Sequence, residues 1–396
     1  MRAVRPPGGD GPGMATLEIT PPQARGTQVP RLRGDVEVAI GLVEGETPYL
    51  FEDVSALTRD RAGRIYVADS GTSDVRVFDS TGDYLYRIGG RGDGPGEFGR
   101  FRLCGLAFDP RGRLWVNQLE WLHIFAVSGA NAAYVGEVTV RDNERSTGAT
   151  CGSPMFAGPT GLTVPRYRVV ITEGAYDEHA HVAENGDIIS RVPLVTELPD
   201  YGEWEWPRVP LRAPGLIWNT GEELQTRTVE PPFAARNLVA SAPNGGFAQA
   251  FSPEYDIRVF DADGTPKARL RRDAAGPVVT AAEARRERER MERLRDVPEY
   301  RMPERKPVIN RLWFDEQGRL WVFLWPAESD RRYEAHVYDD DGTFVHVADW
   351  PRGIGIWYGG VRGDIAVGVR ETEFDVEQVV VLRFSPVSER DSFGGA

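Results

Sequence analysis

One repeated unit constrains this chain more than any other feature: an apolar strand, a tight Asp-x-x-Gly-Arg turn, and a second apolar strand. It runs over residues 56–67 around Asp60, Gly63 and Arg64. It returns over 106–116 around Asp109, Gly112 and Arg113, and over 312–322 around Asp315, Gly318 and Arg319. Looser copies occupy 238–247 and 358–367. A second hairpin follows each unit, with turns of the same chemistry at 75–82, 257–264 and 336–342 and weaker ones at 124–129 and 181–186. Aspartate and asparagine hydrogen-bond the turn backbone and glycine accepts positive φ, so these are hairpins with a mechanism. Two hairpins make a four-stranded antiparallel sheet that cannot bury both of its faces alone.

Sheets of this kind cover one another when set radially, as in a β-propeller. Six blades are expected, over roughly 50–90, 101–138, 153–196, 234–272, 308–350 and 354–386. The third is the weakest, because its inner hairpin lacks the turn motif. The alternating segment 36–40 has no partner nearby in sequence and is expected to complete the last blade and close the ring. The domain reading is a flexible leader over 1–34, an all-β six-bladed propeller over 35–386 with a helical insertion at about 278–297, and a disordered tail over 387–396.

Residues 88–98, reading Ile-Gly-Gly-Arg-Gly-Asp-Gly-Pro-Gly-Glu-Phe, follow Val67-Ala68-Asp69 and Val77-Phe78-Asp79. This succession resembles the NHL-repeat family of six-bladed propellers. The first blade carries the match, and the other five share its pattern. The chain is also similar to bacterial six-bladed propeller proteins of uncharacterised role, many of them exported or lipid-anchored. The N-terminus as written has a positive start and no apolar core of a signal peptide. The expected location is therefore cytoplasmic, or periplasmic and envelope-associated if a signal is missing from the sequence.

Composition removes several classes of function. Sixty acidic residues against 47 basic ones give a net charge of −13, so no nucleic-acid partner is expected. No apolar run is long enough to span a bilayer. The basic residues include two lysines, Lys267 and Lys306, and the rest are arginine. Cys104 and Cys151 lack metal spacing. They are expected as reduced thiols, although neighbouring blades bring them within bonding range.

In a blade, strand 1–2 and 3–4 turns share one face, and here they are short. The 2–3 turns and blade crossings share the other face and hold the long segments 89–101, 139–153, 171–178, 197–233, 277–307 and 323–334. Insertions gathered on one face mark a binding face. Candidate ligand-binding residues are Arg91, Trp121, Trp204, Trp206, Trp325 and Trp357, since tryptophan and arginine dominate binding hot spots. Trp115, Trp313 and Trp321 lie on strands and are expected to fill the core. Thr280 to Glu283 forms a capping box that opens a charged surface helix. His179 and His181 alternate on a strand with no third metal ligand identifiable.

The expected function is a non-catalytic binding or scaffold propeller, monomeric and without cofactor. Its partner would be a peptide, protein or glycan, held on the insertion-rich face and central funnel. The alternative is a metal-dependent hydrolase or lyase of the gluconolactonase or strictosidine-synthase type. That reading needs Ca²⁺ or Zn²⁺ in the funnel, with Asp69, Asn117, Glu120 and Glu173 as ligands at second-strand ends.

Overall fold

The computed structural model describes residues 30–99, 101–118, 121–140, 146–149, 155–158, 161–170, 174–193, 232–293 and 301–387. The chain opens with strand β1 (Arg31–Ile40), which belongs to the last blade. The first blade is β2 (Val54–Arg59), β3 (Ile65–Asp69), β4 (Asp74–Phe78) and β5 (Tyr84–Gly89). The second is β6 (Gly105–Phe108), β7 (Arg113–Gln118), β8 (Trp121–Val127) and β9 (Ala132–Thr139). In the third, β10 (Ser146–Ala149) and β11 (Phe156–Gly158) pair with successive parts of β12 (Gly161–Val170), followed by β13 (Gly174–Val182) and β14 (Ile188–Pro193). Its inner strand is thus split in two, which is why that hairpin carries no turn motif.

The fourth blade is β15 (Asn237–Ser241), β16 (Phe247–Phe251), β17 (Asp256–Phe260) and β18 (Pro266–Arg271). Helix α1 (Ala281–Glu292) lies in the crossing to the fifth, which is β19 (Ile309–Phe314), β20 (Leu320–Leu324), β21 (Arg332–Tyr338) and β22 (Phe344–Pro351). The sixth is β23 (Gly355–Ile356), β24 (Ile365–Glu371), β25 (Glu377–Pro386) and, outermost, β1. The fold is a six-bladed β-propeller closed by its N-terminal strand.

The closure goes further than the alternating pattern implied. Residues 32–40 pair antiparallel with β25, and Arg31, Leu32 and Arg33 also pair in parallel with Val347, Ala348 and Asp349 of β22. Blades five and six thereby become one continuous eight-stranded sheet. Asp349, almost fully buried, anchors this crossing by taking Arg31 at 3.2 Å and Arg332 beside it.

The repeated turn has a common internal bonding. Asp60 accepts from the amides of Ala62 and Arg64 on one oxygen, and from Arg64 Nε and the Tyr66 hydroxyl on the other. Asp109 repeats this with Arg113 and the Trp115 indole, and Asp315 with Arg319 and the Trp321 indole. The motif therefore extends to an aromatic residue six positions after the aspartate. Gly63, Gly112 and Gly318 sit at φ between +78° and +87°, where a side chain would strain the turn. Trp115, Trp313 and Trp321 are buried, as expected for core residues. Apolar clusters fill the wedges between sheets, one joining blades one and two, another blades four and five.

Two expectations are revised. Cys104 is disulfide-bonded, not a reduced thiol, and the other cysteine of the chain, Cys151, lies outside the described residues. The helix is shorter than 278–297: it begins after Thr280 with the expected capping box and ends at Glu292, and residues 294–300 lie outside the described set. No helix among the described residues is long and apolar enough to cross a membrane.

Candidate functional site

Residues of all six blades, five of them through their first turns, line a cavity of about 440 Å³ at the ring axis. Ala62, Asp109, Ala157, Pro243, Glu316 and Arg362 represent the six blades in its wall. It opens on the short-turn face, opposite the long insertions. Ala62, Ala157, Pro243 and Gly359 are the small residues of this wall. One side of the wall is apolar, with Leu106, Phe108, Met155 and Phe156; the other carries the Glu316–Arg362 pair, bonded at 2.8 Å through Arg362 Nε.

The acids of this wall are committed to the fold. Asp60 and Asp109 hold their turns through the bonds described above. Burial pushes the Asp109 carboxyl up, but the Arg113 amide, the Trp115 indole and the Arg113 guanidinium together hold it below the ordinary carboxylate range. Glu316 differs: burial raises its carboxyl above that range, and Arg362 opposes the shift without cancelling it.

A second cavity, about 280 Å³, lies on the insertion-rich face between α1 and blade five. Phe233, Trp325 and Tyr333 line it together with Lys306, Glu283 and Asn310. The Trp325 and Phe233 rings meet edge to face at 5.5 Å.

The sequence-derived candidates do not converge on one funnel. Arg91 is exposed and donates to the Gly71 carbonyl at 3.2 Å. Trp121 is half-buried and stacks on Phe101, the ring centroids 5.4 Å apart. Trp325 lines the second cavity, on another blade. Trp357 lies at the opposite end of the ring, packed against the clusters on both sides of blade one. Trp204, Trp206, Glu120 and Glu173 lie outside the described residues.

Of the proposed metal ligands, Asp69 is fully buried and accepts the amides of Glu52, Asp53 and Gly71, with Arg76 at 3.3 Å. A guanidinium therefore stands where a cation would need to bind. Asn117 is buried on another blade, its side-chain oxygen without a partner. Among the described residues no three His, Cys, Asp or Glu side chains converge as a metal site. Sequence reasoning missed Glu316, Arg362 and Glu283. Of the sequence-derived candidates, Trp325 alone among the described residues lines the second cavity, and Lys306, a rare lysine in an arginine-rich chain, lies beside it.

Three histidines, His123, His336 and His346, are buried. Burial lowers His346 to about 4, with Arg319 adding to the effect, and burial likewise lowers His123 and His336. Each stays neutral in the fold at a pH where the unfolded chain, titrating near 6.5, takes up a proton. Their contribution is thus present above about pH 6.5 and lost as the pH falls toward 4. Chemical denaturation should show stability falling by on the order of 2 kcal/mol across that window. His346→Gln should flatten part of the slope. A curve flat or rising toward acid would refute this assignment.

Residues 44–103 match the DUF5128 family, described as a 6-bladed beta-propeller. No curated protein matches the chain. Among solved structures, a member of the duf4221 family from Bacteroides vulgatus is 10% identical, with 90% of this chain and 99% of that one covered at a TM-score of 0.48. Virginiamycin B lyase from Staphylococcus aureus is 9% identical, with 88% and 99% covered at 0.40. The calcium-binding protein regucalcin from Agrobacterium tumefaciens is 10% identical, with 89% and 96% covered at 0.37. These resemblances concern the propeller fold alone.

Proposed function

We propose that the protein is a non-catalytic binding propeller that holds a peptide, protein or glycan partner in its axial cavity. The insertion-rich face, with Arg91, Trp121, Trp204 and Trp206, serves as a further contact surface. The observation that carries this reading is the cavity wall itself. All six blades build it, it is large enough for part of a chain, and its acids are engaged in holding turns or in pairing with arginine. Such a wall offers shape, apolar area and fixed charge, which suit recognition more than turnover. The bonded Cys104 supports an oxidising location such as the periplasm or cell envelope.

One observation favours catalysis: Glu316, a carboxyl raised by burial inside a cavity, has the character of a general acid. Its pairing with Arg362 weighs against that role, because a donor already occupies its oxygen. Immobilised peptide and glycan arrays separate the readings. Ala62→Trp, which fills the mouth, should weaken binding by tenfold or more and leave the fold intact. Loss of binding in the Trp204→Ala, Trp206→Ala pair, with none in Ala62→Trp, would move the partner to the other face. Lactone hydrolysis abolished by Glu316→Gln would overturn the non-catalytic reading.

A further inference from the structure

We propose that the cavity beneath α1 is a saccharide subsite that takes one neutral pyranose ring. A cavity of 150 Å³ is enough for benzene, so one of about 280 Å³ accommodates a single ring with its substituents and not a folded chain. Its charges are already used. Lys306 Nζ donates to Glu283 at 2.5 Å and to the Pro326 carbonyl at 2.8 Å. Arg286 pairs with Glu328 at 2.8 Å, and Arg352 donates to the carbonyls of Ala327, Glu328 and Asp330. A further anion would meet Glu283 and Glu287 in the wall, and a further cation would meet Lys306 and Arg286.

What remains for a ligand is neutral. Trp325 and Tyr333 give aromatic surface, whose electron-rich faces accept the C–H groups of a sugar ring, and Phe233, with the Lys306 ammonium over its ring at 5.3 Å, closes the wall beside them. The Asn310 amide and the Tyr333 hydroxyl supply donors and acceptors matched to sugar hydroxyls. The Trp325 indole nitrogen is enclosed and has no hydrogen-bond partner, so an acceptor that a small shift of the ring brings to it relieves a standing cost. The ammonium of Lys306 fixes the helix wall against blade five, so the cavity is formed before a ligand arrives. This inference rests on its own cavity and stands or falls apart from the axial one.

The test uses the full chain and four probes: methyl α-D-glucopyranoside, methyl α-D-mannopyranoside, methyl β-D-galactopyranoside and N-acetyl-D-glucosamine. Saturation-transfer NMR and calorimetry should find at least one that binds with millimolar affinity or better. Trp325→Phe, which keeps an aromatic face and removes the N–H, should weaken it about tenfold. Asn310→Ala should do likewise, and Ala62→Trp on the opposite face should leave it unchanged. Melting temperature and helical circular dichroism check that each variant is folded, and Tyr333→Phe replaces Trp325→Phe if the latter is not. Binding of none of the four would overturn the proposal. So would binding that these variants leave unaltered, or a preference for glucuronate or a peptide.

Discussion

Deleting residues 1–40 should lower the melting temperature by roughly 10 °C or more and drive the protein to aggregate. The deletion removes β1, which completes blade six and runs on to the edge of blade five. Ile40 is 2% exposed, and Val38 and Leu32 pack against the clusters beside blade six. Burial of three such side chains is worth on the order of 5 kcal/mol, before the loss of the β1 ladder is counted. The deletion also bares β25 and β22 as adjacent open edges, where two chains can pair. Ile40→Ala alone should cost about 2–4 kcal/mol, and Val36→Ala, 36% exposed on the same strand, less than about 0.5 kcal/mol. Thermal melts and size-exclusion profiles read all three. A deletion variant that melts with the full-length chain would mean that the ring closes without β1.

How much of this was legible depended on whether the information was local. The turns were, because Asp, Gly and Arg act within five residues of one another and each has a fixed task in the hairpin. Even the aromatic six positions on was written in the sequence as Tyr66, Trp115 and Trp321. Alternation over 36–40 announced β1, but its parallel pairing with β22 left no local trace, since Arg31 and Val347 meet only through the ring.

The cavities were harder to foresee. Loop lengths show which face carries the insertions, yet they do not show which end of the axis is open. That depends on the bulk of single residues in the cavity wall, Ala62, Ala157, Pro243 and Gly359 among them. A reading based on tryptophan therefore placed Trp325 and Trp357 at one funnel, whereas antiparallel strands send them to opposite ends. Lys306 shows the same limit from another side. Its rarity was visible in the sequence, but the carboxylate it meets lies 23 residues earlier in the same blade crossing, on helix α1, and only the fold brings the two together.

Lys306→Met should destabilise the α1 region by about 3–5 kcal/mol, because it leaves Glu283 buried without its counter-charge. Both side chains of the pair are at most 5% exposed, so water cannot replace the lost ammonium. Glu283 has two duties, which sharpens the expectation. One oxygen accepts from the Thr280 amide at 3.2 Å in the capping box, and the other accepts from Lys306 at 2.5 Å. Glu283→Ala thus removes the helix cap and strands the lysine together. Lys306→Arg is not a conservative alternative, since a planar guanidinium does not fit where a compact ammonium meets both Glu283 and the Pro326 carbonyl. The double change Lys306→Met, Glu283→Gln should recover much of the loss of the first single change, because no charge then stays buried alone. Hydrogen exchange should show the loss in the clasp where Val279 bonds Glu304 and Lys306 bonds Pro277, with the blades protected. If Lys306→Met instead keeps helical circular dichroism, and exchange in that clasp matches the unaltered protein, the ion pair is not what holds α1 on blade five.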